Sequence, residues 1–217
     1  MKHLPFKKLK THFDHFRPHF YPAFPNNKNN ISAGVLVALY DDPDWTCILT
    51  QRSSQLKDHS GEICFPGGKQ QEEDIFLCNT ALREAKEEVG LEAEIIGQLS
   101  SIPLYTSDFR LEPFVAIAKT PIAQLHCNEE VQHILPISLR HIFEQPYLEG
   151  TSFTYQGQNL LSPHFQSHHL MQDPPTKQVT YGGTAIVLYE LLQQISLIID
   201  RNIPTIKEVQ WPKDLLK

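Results

Sequence analysis

Glu84, Glu87 and Glu88 stand at i, i+3 and i+4 in the run Leu82-Arg83-Glu84-Ala85-Lys86-Glu87-Glu88-Val89-Gly90-Leu91. In a helix that spacing projects all three carboxylates from one face. Like charges so placed repel, and a hard divalent cation, Mg2+ or Mn2+, relieves the repulsion. Such an ion is held by one or two carboxylates, waters and substrate phosphates. It neutralises phosphoryl oxygens and lowers the pKa of a bound water, so the cluster suits attack of water on phosphorus. Glu84 and Glu88 are the candidate ligands, and Glu87 is a ligand or the base that positions the water. Upstream, Phe65-Pro66-Gly67-Gly68 supplies glycines whose backbone can approach a ligand closely, and the Gly68 carbonyl is a further candidate ligand. Taken alone, Arg83 to Glu88 reads as a solvated helix face. The glycine turn before it and the Gly90-Leu91 exit after it favour a site.

The elements that position these groups follow from the flanks. Asp74 reads as the N-cap of the carboxylate helix and Gly90 as its C-terminal stop. Arg83 and Glu87 are four apart and pair on the helix flank. Before the glycine turn, Ile31 to Tyr40 and Trp45 to Gln51 are apolar, β-rich runs around Asp41-Asp42-Pro43-Asp44, the pattern of a hairpin. Arg52 leaves the second strand, and His59 and Gly61 lie in the loop leading to the glycine turn. His59 reads equally well as a ligand contact and as a loop hydrogen bonder. Ala93 to Leu99 and Leu111 to Ala118 read as further strands with a loop between them.

The segment resembles the Nudix box, Gx5Ex7REUxEExGU with U aliphatic. Here Asp74 stands for the first Glu, eight residues rather than seven separate it from Arg83, and Ala85 occupies the U position. The longer spacing is similar to that of the coenzyme A pyrophosphatase branch. That branch's upstream signature is matched by Ile48-Leu49-Thr50-Gln51-Arg52-Ser53, Leu56, His59, Gly61 and Phe65-Pro66-Gly67-Gly68. Gln71 departs from an acidic position, and Ser107-Asp108-Phe109 lacks a glycine that family members often carry. The resemblance implies an α/β/α sandwich around a mixed sheet, where the pattern alone supports only an α/β or α+β domain. It implies metal at Glu84, Glu87, Glu88 and Gly68, and substrate contacts at Arg52, His59, Gly67 and Gly68. Glu87, Glu88 and Glu130 are its catalytic candidates. Glu130 enters because Cys127-Asn128-Glu129-Glu130-Val131 is similar to a family NxxEV segment, and a carboxylate on a loop near a metal can act as general base. A solvated acidic pair is an equal reading. The implied reaction is pyrophosphate cleavage of coenzyme A or an acyl derivative, giving phosphopantetheine and an adenosine bisphosphate. ADP-ribose, a dinucleotide or an oxidised nucleotide are alternative substrates, and a non-catalytic binding module is a further alternative that the intact carboxylates oppose.

The remaining chain bounds the setting. The 217 residues are 41% hydrophobic and 20% charged, enough for one domain with a sizeable core or one domain with embellishments. Nineteen Lys and Arg against 25 Asp and Glu give a net charge of −6, which argues against nucleic acid as partner. A small-molecule nucleotide is the expected partner, no membrane contact is expected, and a homodimer is left open. No apolar run reaches transmembrane length, no leader is evident, and the four cysteines lack CxxC spacing, so a cytoplasmic protein with reduced thiols is expected. Residues 1–30 read as a basic, aromatic extension in which Phe13, Phe16 and Phe20 have helical spacing. Residues 31–200 read as the Nudix domain and 201–217 as a proline-interrupted tail. Gly150 to Leu161 carries a hairpin signal. His164, His168 and His169 fit no zinc spacing and read as exposed or structural. Ala185 to Ile199 reads as a buried helix with Thr184 as its N-cap.

Overall fold

Alternation on one strand sets the layers. In β1 (Ile31–Leu39), Val35, Val37 and Leu39 face one core, while Leu36 and Ala38 face another. A strand apolar on both faces belongs at the centre of a covered sheet. The computed structural model, which describes residues 3–24, 27–56, 58–105, 107–155 and 158–211, places it there.

The central sheet also contains β2 (Thr46–Arg52), β3 (Ile63–Cys64), β4 (Gly67–Lys69), β5 (Ala93–Gln98), β6 (Ile102–Pro103), β7 (Phe109–Ala118) and β8 (Val131–Ser138). Its main path is β3-β2-β1-β7-β5, with β4 on β1, β6 on β7 and β8 on β2. β1 and β7 are parallel over nine residue pairs, and the other pairings are antiparallel, so the sheet is mixed. The expected β1–β2 hairpin is present at its turn, where the Tyr40 N–H donates to the Thr46 carbonyl at 2.8 Å, but it is short. The two strands pair only at Leu39 and Cys47, then part, and β2 runs along β8 instead. The edge of β1 vacated by β2 is taken by the glycine turn, with Val35 opposite Gly67 and Gly34 opposite Gly68. A Cβ on Gly67 would strike the Gly34 carbonyl, so only glycine permits this approach.

One face of the sheet is covered by α2 (Leu77–Val89) through Ala81, Ala85 and Val89. The other is covered by α1 (Phe6–His15) and α5 (Gly182–Ile199), with α3 (Leu139–Glu144) and the short α4 (Ser167–Leu170) beside them. This is the α/β/α sandwich. A second sheet of β9 (Tyr147–Tyr155), β10 (Gln158–His164) and β11 (Thr205–Glu208) flanks it in the order β10-β9-β11. The expected hairpin is β9–β10; its Gln156-Gly157 tip lies outside the described residues. The tail contributes β11, parallel to β9, and residues 212–217 lie outside the described residues too.

Three further expectations are corrected. Thr184 lies inside α5, which starts at Gly182 after Tyr181. Phe20 lies beyond α1, in an isolated bridge to Ser101, where the guanidinium of the buried Arg110 sits 4.0 Å from the centre of its ring. α5 is also long and apolar enough by composition to cross a membrane, contrary to the reading of the sequence. Yet Ala185, Val187, Leu188, Leu191, Leu192 and Ile195 are fully buried in the main core, the pattern of an interior helix.

Candidate active site

α2 starts after Phe76, whose N–H donates to Asn79 Oδ1 at 3.1 Å, and stops at Gly90 in the left-handed conformation (φ 69°). Gly90 ends the helix as expected, but Asp74 is not its cap. Asp74 is 5% exposed at its side chain and accepts Arg83 Nε at 3.2 Å and Nη2 at 2.9 Å. Thr80 Oγ1 and the Gln71 N–H also donate to it, each at 3.0 Å. The Arg83 hydrogen bonds are the chief cause that holds the Asp74 carboxyl down at about 2. A bidentate guanidinium is a better use of a buried carboxylate than a single cap bond.

Arg83 extends from there to the metal candidates. Its Nη1 lies 2.9 Å from Glu84 Oε1 and 3.0 Å from Glu87 Oε2, the second being the expected helix pair. Glu87 is otherwise largely exposed. Glu84 is tucked inward: a Cβ on Gly68 would stand 2.6 Å from its carboxylate. Burial is the first cause that raises the Glu84 pKa, with Arg83 opposing and Glu87 and Glu130 adding to it.

Glu88 is the deepest of the three, 4% exposed, and accepts the Gly67 N–H at 3.2 Å. Burial pushes its carboxyl up to about 8, against the Gly67 hydrogen bond and the Arg52 charge, with Glu84 and Glu130 contributing repulsion. A buried carboxylate with two carboxylate neighbours is unstable as an anion without a cation.

Arg52 ends β2 at a register shift against β8, and its Nε is buried without a hydrogen-bond partner. Its charge acts on both Glu88 and the Cys64 thiol beneath it. Glu130 sits on the turn before β8. Its carbonyl accepts the Ser53 N–H at 2.7 Å, and its own N–H donates to Asn128 Oδ1 at 2.9 Å. The Asn128 N–H in turn donates to the Glu88 carbonyl at 3.0 Å, so this turn is tied to the end of α2. The structure therefore brings together Arg52, Gly67, Gly68, Glu84, Glu88 and Glu130, with Glu87 on the outer rim. His59 has a loop partner: its Nδ1 lies 3.0 Å from Glu62 Oε2. His164 and His169 are buried structural residues, and His168 stacks edge-on against His169.

Among the described residues, no three His, Cys, Asp or Glu side chains form a ready-made metal cage. Two inward carboxylates beside a glycine backbone are nevertheless the donor set that Mg2+ uses, since it takes few protein ligands and keeps waters and phosphate oxygens. The residues fit the ion.

Two features escaped the sequence reading. Asp74, Thr80 and Arg83 form one buried network, which the six- and nine-residue separations could have signalled as a helix-start clamp. Glu62, in the loop beside Arg52, carried no signal at all.

A Nudix domain profile matches residues 30–146, more than half of the chain. The chain belongs to the Nudix family. It is 32% identical over 173 residues to an uncharacterized Nudix hydrolase NudL of Photorhabdus laumondii, covering 78% of this chain and 87% of the relative. It is 30% identical over 181 residues to an uncharacterized Nudix hydrolase NudL of Yersinia pestis, covering 82% and 84%. Among solved structures, a MutT/nudix family protein of Enterococcus faecalis matches with TM-score 0.46 and 11% identity over 90% of this chain and 70% of its own. MutT of Methanosarcina mazei Go1 matches with TM-score 0.41 and 20% identity over 60% and 85%. These structural likenesses are distant, and the Nudix assignment rests on sequence. It makes the protein a Nudix hydrolase, a pyrophosphatase of nucleoside diphosphate derivatives, from a family that uses divalent cations.

Proposed function

We propose that this Nudix hydrolase cleaves the pyrophosphate bond of coenzyme A or an acyl derivative, giving phosphopantetheine and an adenosine bisphosphate. The observation that carries this reading is the junction of two motifs. The loop matching the coenzyme A branch, from Arg52 to Gly61, leaves β2 directly beside the buried Glu88. General pyrophosphate cleavage needs only the carboxylate helix, so the added motif is best explained by substrate reading.

Glu84, Glu88 and the Gly68 carbonyl would hold the divalent cation, with Glu87 at its rim. When bound, the cation neutralises phosphate charge and acidifies water. Arg52 presents a permanently charged planar fork to a phosphate oxygen, and the burial of its Nε strengthens that contact. Glu130 is the favoured proton acceptor for the attacking water. It lies close enough to raise both Glu84 and Glu88, whereas Glu87 is engaged by Arg83. Arg83 acts behind these groups by fixing Glu84.

The test is kcat/KM for coenzyme A, acetyl-coenzyme A, dephospho-coenzyme A, ADP-ribose, NADH and nucleoside triphosphates, with Mg2+ and with Mn2+. Coenzyme A or its thioester is expected to lead. A tenfold lead for ADP-ribose or a dinucleotide, about 1.4 kcal/mol of transition-state preference, would sink the coenzyme A reading and leave the pyrophosphatase class standing.

A further inference from the structure

Glu62 is the only carboxylate among the described residues that joins the Arg52–Gly61 loop to the far end of the chain. Its Oε2 lies 3.0 Å from His59 Nδ1, and its Oε1 accepts the Tyr181 hydroxyl at 3.1 Å. Its backbone is equally committed: the Glu62 carbonyl accepts the Arg52 N–H at 2.9 Å, and the Glu62 N–H donates to the His59 carbonyl at 3.2 Å. Gln51 Nε2 donates to the Gly61 carbonyl at 3.2 Å, closing the base of the loop. His59 itself is in the left-handed region (φ 56°), a turn conformation that histidine adopts more readily than most side chains.

Tyr181 is the residue immediately before α5, and burial with the neighbouring Glu62 pushes its phenol up to about 12, so it remains a donor. Behind it the Trp211 ring packs edge-on at 5.9 Å, and Trp211 packs in turn on the buried His164 at 4.9 Å. The start of α5 therefore holds the returning end of this largely exposed loop through one carboxylate.

We propose that Glu62 and Tyr181 are positioning residues that latch the His59 loop at the mouth of the site and so set the affinity for the part of the substrate beyond the pyrophosphate. The inference rests on the proposed reading that the Arg52–Gly61 loop contacts substrate, and not on which nucleotide that substrate is. Neither residue touches the carboxylates, so the latch acts on substrate binding and leaves the chemical step alone.

The test is a cycle of His59→Ala, Glu62→Ala, Tyr181→Phe and the Glu62→Ala/Tyr181→Phe double variant. It is run on coenzyme A and on whichever other substrate gives the highest kcat/KM, so failure of the latch and failure of the coenzyme A reading are seen separately. Tyr181→Phe removes one hydroxyl and keeps the ring on Trp211, so the folded protein is retained. Each single variant is expected to raise KM about three- to tenfold with kcat within about twofold of wild type. The double variant is expected to be no worse than the worse single, because both remove one unit. Glu62→Gln, which keeps an acceptor for the phenol, is expected to recover part of the Tyr181-dependent affinity. Unchanged KM in Tyr181→Phe, a fall in kcat alone, or strictly additive effects would each overturn the latch.

Discussion

Arg83 grips Asp74 with two nitrogens, Nε on Oδ1 at 3.2 Å and Nη2 on Oδ2 at 2.9 Å, while its third nitrogen reaches Glu84 and Glu87. One guanidinium thus ties the start of the helix to the inward Glu84 and to Glu87 on the rim. Arg83→Lys keeps the charge and loses the fork. It is expected to destabilise the fold by about 1–3 kcal/mol, as an unpaired buried carboxylate does, and to lower activity by freeing Glu84. Denaturant midpoints and kcat/KM measured together check both parts.

The two buried carboxylates give opposite acid–base slopes. Asp74 is held at about 2, below its ordinary 3.8, so its stabilisation is present above pH 3.8 and is lost as pH falls towards 2. Glu88 is raised from 4.5 to about 8, so the folded state keeps a proton that the unfolded chain releases. Stability without divalent cation is therefore expected to fall as pH rises from 4.5 to 8, and to level off above. Unfolding midpoints in chelator across that range check this, and Glu88→Gln should flatten the slope.

Glu88→Gln separates stability from function. The neutral amide removes a costly buried charge, so the variant is expected to be at least as stable as wild type at pH 8 in chelator. Its turnover should fall on the order of 100-fold or more, and added Mg2+ should no longer raise its melting temperature. Near-normal turnover at saturating Mg2+ would remove Glu88 from the site.

The adjacent glycines are expected to fail differently. A Cβ on Gly68 meets the flexible end of Glu84 at 2.6 Å, whereas one on Gly67 meets the Gly34 carbonyl, which cannot give way. Gly68→Ala should therefore fold and lose activity by displacing Glu84. Gly67→Ala should lose stability first, by about 1–3 kcal/mol from overpacking. Thermal melts alongside turnover distinguish the two.

Arg52→Lys tests the phosphate fork. Its kcat/KM is expected to fall by about tenfold or more, the scale of a charged hydrogen bond of about 1.5–3 kcal/mol. Unchanged kinetics in Arg52→Ala would make it a structural residue over Cys64.

Much of this arrangement was legible before any coordinates. The i, i+3, i+4 carboxylates, the Gly90 stop and the Arg83–Glu87 pair are all local, and local spacing decides them. The central sheet was less so. Ile31 to Tyr40 and Trp45 to Gln51 looked like a hairpin because a short polar turn joins two β-rich runs. They do pair at Leu39 and Cys47, but further along β1 the glycine segment lies opposite Ala33 to Val35 while β2 runs along β8. Asp74 looked like a cap because caps are acidic and sit before helices, while its actual partner lies nine residues on. Glu62 and Tyr181 are 119 residues apart, and no spacing rule joins them.

The parallel pairing of Ile31 to Leu39 with Phe109 to Ile117 also orders events in time. All of the glycine turn and α2 lie in the chain between those two strands. Closing so long a loop must be completed before its contacts repay the entropy, which makes such pairings slow. The sheet face under α2, built from Leu36 and Ala38 on one strand and Phe114 and Ala116 on the other, is complete only then. A refolding chain is therefore expected to regain hydrolytic activity no earlier than this strand pairing forms, which sampling activity and secondary structure side by side during refolding checks.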